Sequence, residues 1–162
     1  MTFFFLILIN LCSIRLTISI RNKTPKSVYM KTSIFVYWIA RIIAALIMLQ
    51  TLYFKFTGAE ESICIFTQVG MEPWGRIGVG ILELVAAILI LINVTAWMGG
   101  ALALGLMGGA IMMHLTVLGI IVKGDGGRLF IYAVIVAVCS IIVLLFNKEK
   151  IKIFLKRFIK AS

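Results

Sequence analysis

The sequence predicts an all-α integral membrane protein, a four-helix bundle whose two ends lie on the cytoplasmic side (N-in and C-in). Hydrophobic residues make up 62% of the 162 residues and charged residues only 14%, whereas soluble proteins are about half apolar and about a quarter charged. Four apolar stretches are long enough to cross a bilayer. Lysine and arginine concentrate before the first stretch and after the last, which places both flanks in the cytoplasm.

The four spans define a single membrane domain over residues 33–146. They are predicted at residues 33–54, 74–92, 97–122 and 129–146. At about 20 residues each, they leave no room for a second sizeable domain. Between the first two spans, Glu60 and Glu61 precede apolar residues at spacings of three, which predicts a short amphipathic helix at the membrane interface.

The segment before the spans, residues 1–32, is predicted to be an apolar and then basic extension. Its apolar part is interrupted by Asn10, Ser13 and Arg15, and no basic residue precedes it, unlike the arrangement of a secretory signal peptide. Three alternatives stay open: an irregular extra span, an interfacial helix, or an extension produced by a wrongly chosen start codon. Met30 would make a natural start, which favours the third alternative.

The segment after the spans, residues 147–162, is predicted to be a basic amphipathic helix. Apolar residues recur on one helical face and lysines on the other: Ile151, Phe154, Leu155 and Phe158 against Lys152, Lys156 and Lys160. Such a helix is expected to lie on anionic lipids. The formal charge of +10 therefore indicates topology and lipid contact. Nucleic acid is not an expected partner, because the sequence carries no nucleic-acid motif.

Two charged residues fall deep inside the predicted spans. Glu83 lies near the middle of the second span, and Arg41 lies about 12 Å into the first. Both are predicted to point into the bundle, since hydrocarbon does not tolerate an unpartnered charge. For Glu83 two interpretations stay open: a proton-handling carboxylate beside a small molecule, or a structural ion pair with Arg41. For Arg41 we favour neutralisation of Glu83.

His114 is the only histidine and lies in the outer half of the third span. It is predicted to join Arg41 and Glu83 in a buried polar layer, as a ligand-binding or proton-transferring group or, as we favour, as a core histidine hydrogen-bonded across helices. No metal site is predicted, because a lone histidine and three scattered cysteines lack ligand spacing. Three further candidates lie at the outer interface: Lys55, Arg76 and Asp125. The first two are expected to be interfacial anchors.

Small residues mark two sides of the third span. Gly105 and Gly109 have the G-x-x-x-G spacing that permits close helix approach. Gly99 and Gly100 lie on roughly the opposite side. A helix with small residues on both sides can be packed between two neighbours, which is what we expect of the third span.

Four short motifs follow one another along the spans: Lys55-Phe56-Thr57-Gly58, Gly80-x-x-Glu83-Leu84, Met107-x-Gly109-Ala110-Ile111-x-x-His114-Leu115 and Asp125-Gly126-Gly127. In this order they resemble the DoxX or DoxX-like family over about residues 33–146. The resemblance implies a four-helix bacterial membrane protein. Relatives have been connected with membrane oxidoreductase systems, including a thiosulfate:quinone oxidoreductase and an assembly containing superoxide dismutase.

The function that these features favour is a small-molecule-binding, quinone-linked component of a membrane redox system in the bacterial inner membrane, with Glu83 handling protons. The main alternative is a non-enzymatic scaffold or assembly subunit, and a small-solute carrier is a third. No nucleotide-binding loop, nucleophile constellation or paired carboxylates stand out, so we do not expect an enzyme that acts on its own.

Overall fold

A computed structural model describes residues 25–161, with side chains described over residues 33–157 and at Ile159. The extension predicted before the spans therefore lies largely outside the described residues. The chain divides into two compact units, Met1–Phe35 and Val36–Ser162. The described part of the first unit is the beginning of a long helix, and all side-chain contacts discussed below belong to the second.

Six α-helices follow one another over the described residues, which contain no strand. They are α1 (Pro25–Thr57), α2 (Glu60–Gln68), α3 (Trp74–Leu91), α4 (Ala96–Met113), α5 (Arg128–Phe146) and α6 (Lys148–Ala161). A π-helical turn, His114–Leu118, continues α4. Four segments are long and apolar enough to cross a bilayer: Ser33–Thr57, Trp74–Leu91, Ala96–Leu118 and Arg128–Phe146. The predicted all-α, four-span architecture is confirmed, and α2 is the short helix expected between the first two spans.

Glycines in the left-handed backbone region end two of the spans. The first span runs to Thr57, beyond the predicted end at residue 54, and Gly58 follows with a φ of 69°. The third span ends at Leu118, before the predicted end at residue 122, and Gly119 follows with a φ of 76°. Glycine has no Cβ and takes this conformation at little cost, so it commonly terminates helices.

The core consists mainly of small side chains, and the large apolar side chains point outward. Its buried members include Ala44, Ala45, Met48, Ala86, Ala87, Ile90, Ala103, Met107, Val136 and Val143. On the outward side α3 and α5 expose large residues such as Ile81, Leu82, Ile88, Ile131 and Val138. Small residues between helices and large apolar residues outside are the pattern of helices packed together in lipid.

Two adjacent glycines let α4 approach both of its neighbours. A Cβ atom on Gly99 would clash with the Ile90 nitrogen and would lie 2.8 Å from the Ile90 Cα, so the backbones of α4 and α3 almost touch there. A Cβ on Gly100 would lie 3.3 Å from Cγ1 of Val143 on α5. The expectation that the third span packs between two helices is therefore correct.

The close helix approach that the G-x-x-x-G spacing permits does not occur at this pair. No described atom outside the local chain lies within 4 Å of a Cβ built on Gly105 or Gly109. Both glycines instead line a cavity. The spacing permits close approach but does not compel it, and α4 makes its close contacts near its beginning, at Gly99 and Gly100.

The bundle has two ends with different side-chain chemistry. We call the end with the α3–α4 turn the Asn93 end, and the end with the α4–α5 turn the Asp125 end. At the Asn93 end, Asn147 Nδ2 donates to the Tyr37 hydroxyl at 3.0 Å and to the Val143 carbonyl oxygen at 2.8 Å. Lys150 Nζ donates to the Asn93 carbonyl oxygen at 2.9 Å. These bonds tie α1, α5 and α6 together at this end.

Gly99→Ala is expected to lower the free energy of unfolding by about 1–3 kcal/mol or more, because the new methyl group would meet the Ile90 backbone and force α3 and α4 apart. Gly108→Ala is the matched control, since no described atom outside the local chain lies within 4 Å of its built Cβ. Thermal unfolding of both variants in detergent measures the difference. Equal unfolding temperatures for both variants would contradict the close approach at Gly99.

Candidate functional site

A cavity of about 600 Å³ lies at the Asp125 end of the bundle. Its walls are mainly apolar and come from α1 to α5, for example Ile47, Phe66, Leu106, Met113 and Val136. Several polar residues also line it: Thr51, Lys55, Glu83, His114, Asp125 and Tyr132. Sites that bind small molecules commonly have this volume, with mostly apolar walls and a few convergent polar groups.

A buried ion pair between α1 and α3 forms part of the cavity lining. Lys55 Nζ lies 2.8 Å from Oε2 and 3.0 Å from Oε1 of Glu83, whose side chain is only 4% exposed. Thr51 Oγ1 lies 3.3 Å from Glu83 Oε2. Thr51 and Lys55 share a helical face because they are four residues apart. The two residues thus present a hydroxyl and an ammonium group to the same carboxylate.

The expected ion pair between Arg41 and Glu83 is wrong. Arg41 is fully buried and donates to the carbonyl oxygens of Ile90 and Leu91, each at 2.6 Å. Its third partner is Asn93 Oδ1 at 2.5 Å. Because α1 and α3 run antiparallel, Arg41 lies level with the end of α3, about 10 Å along that helix from Glu83.

Arg41 thus donates hydrogen bonds to carbonyl groups at the end of α3. The last carbonyl groups of a helix have no partner within it and carry a partial negative charge, which a guanidinium group complements. Its guanidinium carbon also lies 4.1 Å from the ring centroid of Trp38 and 5.0 Å from that of Tyr37. Such stacking on aromatic rings favours a buried cation.

Arg76 joins the beginning of α3 to the end of α1. Its Nε lies 2.8 Å from Glu72 Oε1, and its guanidinium group also donates to the Lys55 carbonyl oxygen. Its side chain is partly buried. Of the described candidates, Arg41 and Arg76 lie outside the cavity lining. The predicted layer of Arg41, Glu83 and His114 is therefore divided between the two ends of the bundle.

His114 lies in the cavity wall at the beginning of the π-helical turn. Its Nδ1 lies 2.9 Å from the Gly119 carbonyl oxygen, and its ring meets Phe130 edge to face at 5.8 Å between centroids. The expected hydrogen bond across helices is therefore replaced by a bond within the same segment. The histidine is 5% exposed. It lines the cavity, and its ring is held there by the bond to the backbone of Gly119.

Asp125 organises the connection between α4 and α5. Its Oδ1 accepts hydrogen bonds from the backbone N–H groups of Val122 and Gly127, each at 2.9 Å, and its Oδ2 accepts one from Leu129 at 3.1 Å. Burial alone would raise the pKa of this carboxyl group. The three N–H donors and the nearby His114 outweigh burial and hold the pKa of Asp125 below its usual value.

The comparison with family models identifies the chain. The DoxX family model matches residues 36–117, half of the sequence. The chain belongs to the DoxX family. It is a multi-pass membrane protein, as the family match and the four apolar helices together establish. A search of the curated proteins and a search of the solved structures each found no significant match.

The matched part of this DoxX protein contains most of the polar cavity residues. Lys55, Glu83 and His114 lie inside it, whereas Asp125 lies beyond its end. Among the described residues, no three histidine, cysteine, aspartate or glutamate side chains come close enough to hold a metal ion. The groups that face the cavity are instead suited to hydrogen-bonding a small organic molecule.

Several contributors to the site were not predicted from the sequence. Thr51 could have been found from its spacing of four residues before Lys55. Tyr132 on α5 carries no such signal within an otherwise apolar span. Helix α2 contributes Ser62 and Phe66 to the lining, and only the folded arrangement of the connection between α1 and α3 reveals this.

Asp125→Asn is expected to reduce the free energy of unfolding at neutral pH by about 1–3 kcal/mol, since the amide nitrogen cannot accept the bond from Leu129. Because the folded-state pKa of Asp125 is lowered, the carboxylate contributes its stability above the unfolded-state pKa of about 3.9. That contribution disappears as the pH falls through the folded-state value. The difference between variant and wild type should therefore shrink in acid.

Thermal unfolding of this variant between acidic and neutral pH measures the effect. Glu149→Gln is the control, because Glu149 is an exposed carboxylate on α6. A stability loss for Asp125→Asn that stays constant down to low pH would contradict the role assigned to the ionised carboxylate.

Proposed function

We propose that this DoxX protein binds a small, lipid-soluble molecule of the quinone class as a component of a membrane redox system. The observation that carries the proposal is the cavity of about 600 Å³, with the buried Lys55–Glu83 pair in its lining. The apolar walls suit a ring and the beginning of an apolar tail. The polar groups suit the two carbonyl or hydroxyl oxygens of the ring.

Glu83 is the proposed proton-handling group. A carboxylate this deep among apolar helices is costly, and ionisable groups inside membrane spans commonly mark ligand or proton pathways. Lys55 offsets the charge while leaving the carboxylate in the cavity lining. A ligand hydroxyl bound to Glu83 would lie where the carboxylate accepts its proton. The electrons would pass to a partner protein of the redox system.

The proposed location is the bacterial inner membrane with both ends of the bundle domain in the cytoplasm. Lysine and arginine before and after the spans support this orientation. Helix α6, placed against the Asn93 end by the contact of Phe154 with Trp97, exposes Lys152, Lys156 and Arg157. We propose that it rests on anionic lipids of the inner leaflet. The cavity then lies toward the outer leaflet.

The experiment is to purify the protein in lipid nanodiscs and quantify extracted quinones by mass spectrometry, with protein-free nanodiscs as background. Wild type is expected to retain about one quinone per chain. Glu83→Gln is expected to retain at least tenfold less while staying folded.

A second pair of variants blocks the cavity without touching a polar group. Gly109→Leu places a side chain in the cavity wall, where a built Cβ meets no described atom within 4 Å, and should abolish retention. Gly108→Leu is the matched control, because Gly108 is equally open but does not line the cavity. A wild type that retains no more quinone than empty nanodiscs would overturn the proposal and favour the scaffold function.

A further inference from the structure

His114 offers the cavity a hydrogen-bond acceptor whose orientation is fixed by the backbone. A carbonyl oxygen accepts hydrogen bonds and cannot donate them, so the contact of 2.9 Å to the Gly119 oxygen requires the proton to reside on Nδ1. In the neutral imidazole the other nitrogen, Nε2, then carries a lone pair. The hydrogen bond from Nδ1 to the Gly119 carbonyl oxygen thus determines what the ring presents to a ligand.

Nε2 of His114 has no hydrogen-bond partner among the described residues. The hydrogen bonds recorded for this side chain involve Nδ1 alone. The residue is 5% exposed. Among the described residues, Ser140 Oγ is the one fully buried side-chain nitrogen or oxygen atom without a hydrogen-bond partner, so Nε2 of His114 keeps some open surface. Because His114 lines the cavity, we infer that this open surface of Nε2 faces the cavity. An acceptor without a protein partner is available there to a ligand.

Glu83 also accepts from a ligand hydroxyl in the proposed function, but its oxygens already bind Lys55 and Thr51. Lys55 and Tyr132 do not duplicate the acceptor role of His114. Lys55 directs two of its N–H groups at the Glu83 carboxylate. Tyr132 carries a hydroxyl group that can either donate or accept, so it accommodates a ligand hydroxyl or a ligand carbonyl equally. His114 Nε2 discriminates, because its lone pair attracts a hydroxyl proton and repels a carbonyl oxygen.

We propose that His114 Nε2 accepts a hydrogen bond from a ligand hydroxyl, so that the cavity prefers the hydroxyl-bearing, reduced form of its ligand over the carbonyl-bearing, oxidised form. The inference rests on the proposed function, since it assigns the preferred form of the ligand in the same cavity. It makes His114 a binding residue that selects the substrate form. It also implies that the protein takes up the quinol, the reduced form, from another component of the redox system.

The test offers wild-type nanodiscs an equal mixture of a decyl-substituted benzoquinol and the corresponding quinone under anaerobic conditions, and measures the ratio that is retained above empty nanodiscs. Wild type is expected to enrich the quinol about tenfold, because one additional hydrogen bond contributes about 1.4 kcal/mol, which corresponds to a factor of ten in affinity. Retention at the ratio of the surrounding lipid, or enrichment of the quinone, would overturn the preference. Retention of neither form would instead contradict the proposed function.

Two substitutions of His114 separate its two nitrogens. His114→Asn puts an amide N–H where Nδ1 lies, which keeps a donor for Gly119, but it has no atom at the Nε2 position. It should fold and lose most of the preference for the quinol. His114→Gln can present its amide oxygen near the Nε2 position and should keep part of the preference. Unchanged enrichment of the quinol by a folded His114→Asn would overturn the assignment to Nε2.

The matched control is Thr116→Val in the same π-helical turn. Thr116 is exposed, donates to the Met112 carbonyl oxygen at 2.8 Å, and lies outside the cavity lining. Removal of the Thr116 hydroxyl group should leave the quinol enrichment as in wild type. A loss of enrichment in Thr116→Val equal to that in His114→Asn would assign the effect to the turn as a whole and overturn the specific role of the imidazole.

Discussion

The bond between Lys55 and Glu83 is the interaction on which the rest of the structure depends. A carboxylate in the middle of α3 requires a partner, and Lys55 at the end of α1 supplies it at 2.8 Å. Replacing such a pair with apolar residues can be neutral, but removing one partner leaves an uncompensated buried charge that costs about 3–5 kcal/mol. The pair therefore fixes how far α1 and α3 are displaced along each other. It also places a charged carboxylate in the lining of the cavity.

The two ends of the bundle are built differently. At the Asn93 end, Arg41 binds the last carbonyl groups of α3, and Gly99 and Gly100 bring three helices into close contact. At the Asp125 end, α4 gives way to a π-helical turn, and the positions of Gly105 and Gly109 stay open. π-helical turns are frequent at functional sites. Close packing leaves no space for a cavity at the Asn93 end, whereas the open positions leave space at the Asp125 end. The cavity therefore lies at the Asp125 end, beside the polar side chains.

Hydropathy was sufficient to predict the four spans, because a bilayer requires about 20 apolar residues per helix whatever the fold. The charged residues buried in those spans could also be predicted. Their partners could not, because pairing depends on the register between helices that are far apart in sequence. Arg41 and Glu83 are opposite in sign, yet Arg41 binds the end of α3 and Lys55 binds Glu83. Likewise, the spacing of Gly105 and Gly109 does not reveal that Gly99 makes the contact.

The most direct measurement is a double-mutant cycle of Lys55→Met and Glu83→Gln, with the free energy of unfolding measured for all four proteins in the same lipid. We expect each single variant to be clearly destabilised. The double variant should lose less stability than the sum of the two single losses, with a coupling energy of about 1.5–3 kcal/mol. Additive effects would contradict the account, because they would mean that Lys55 and Glu83 do not act as one unit between α1 and α3.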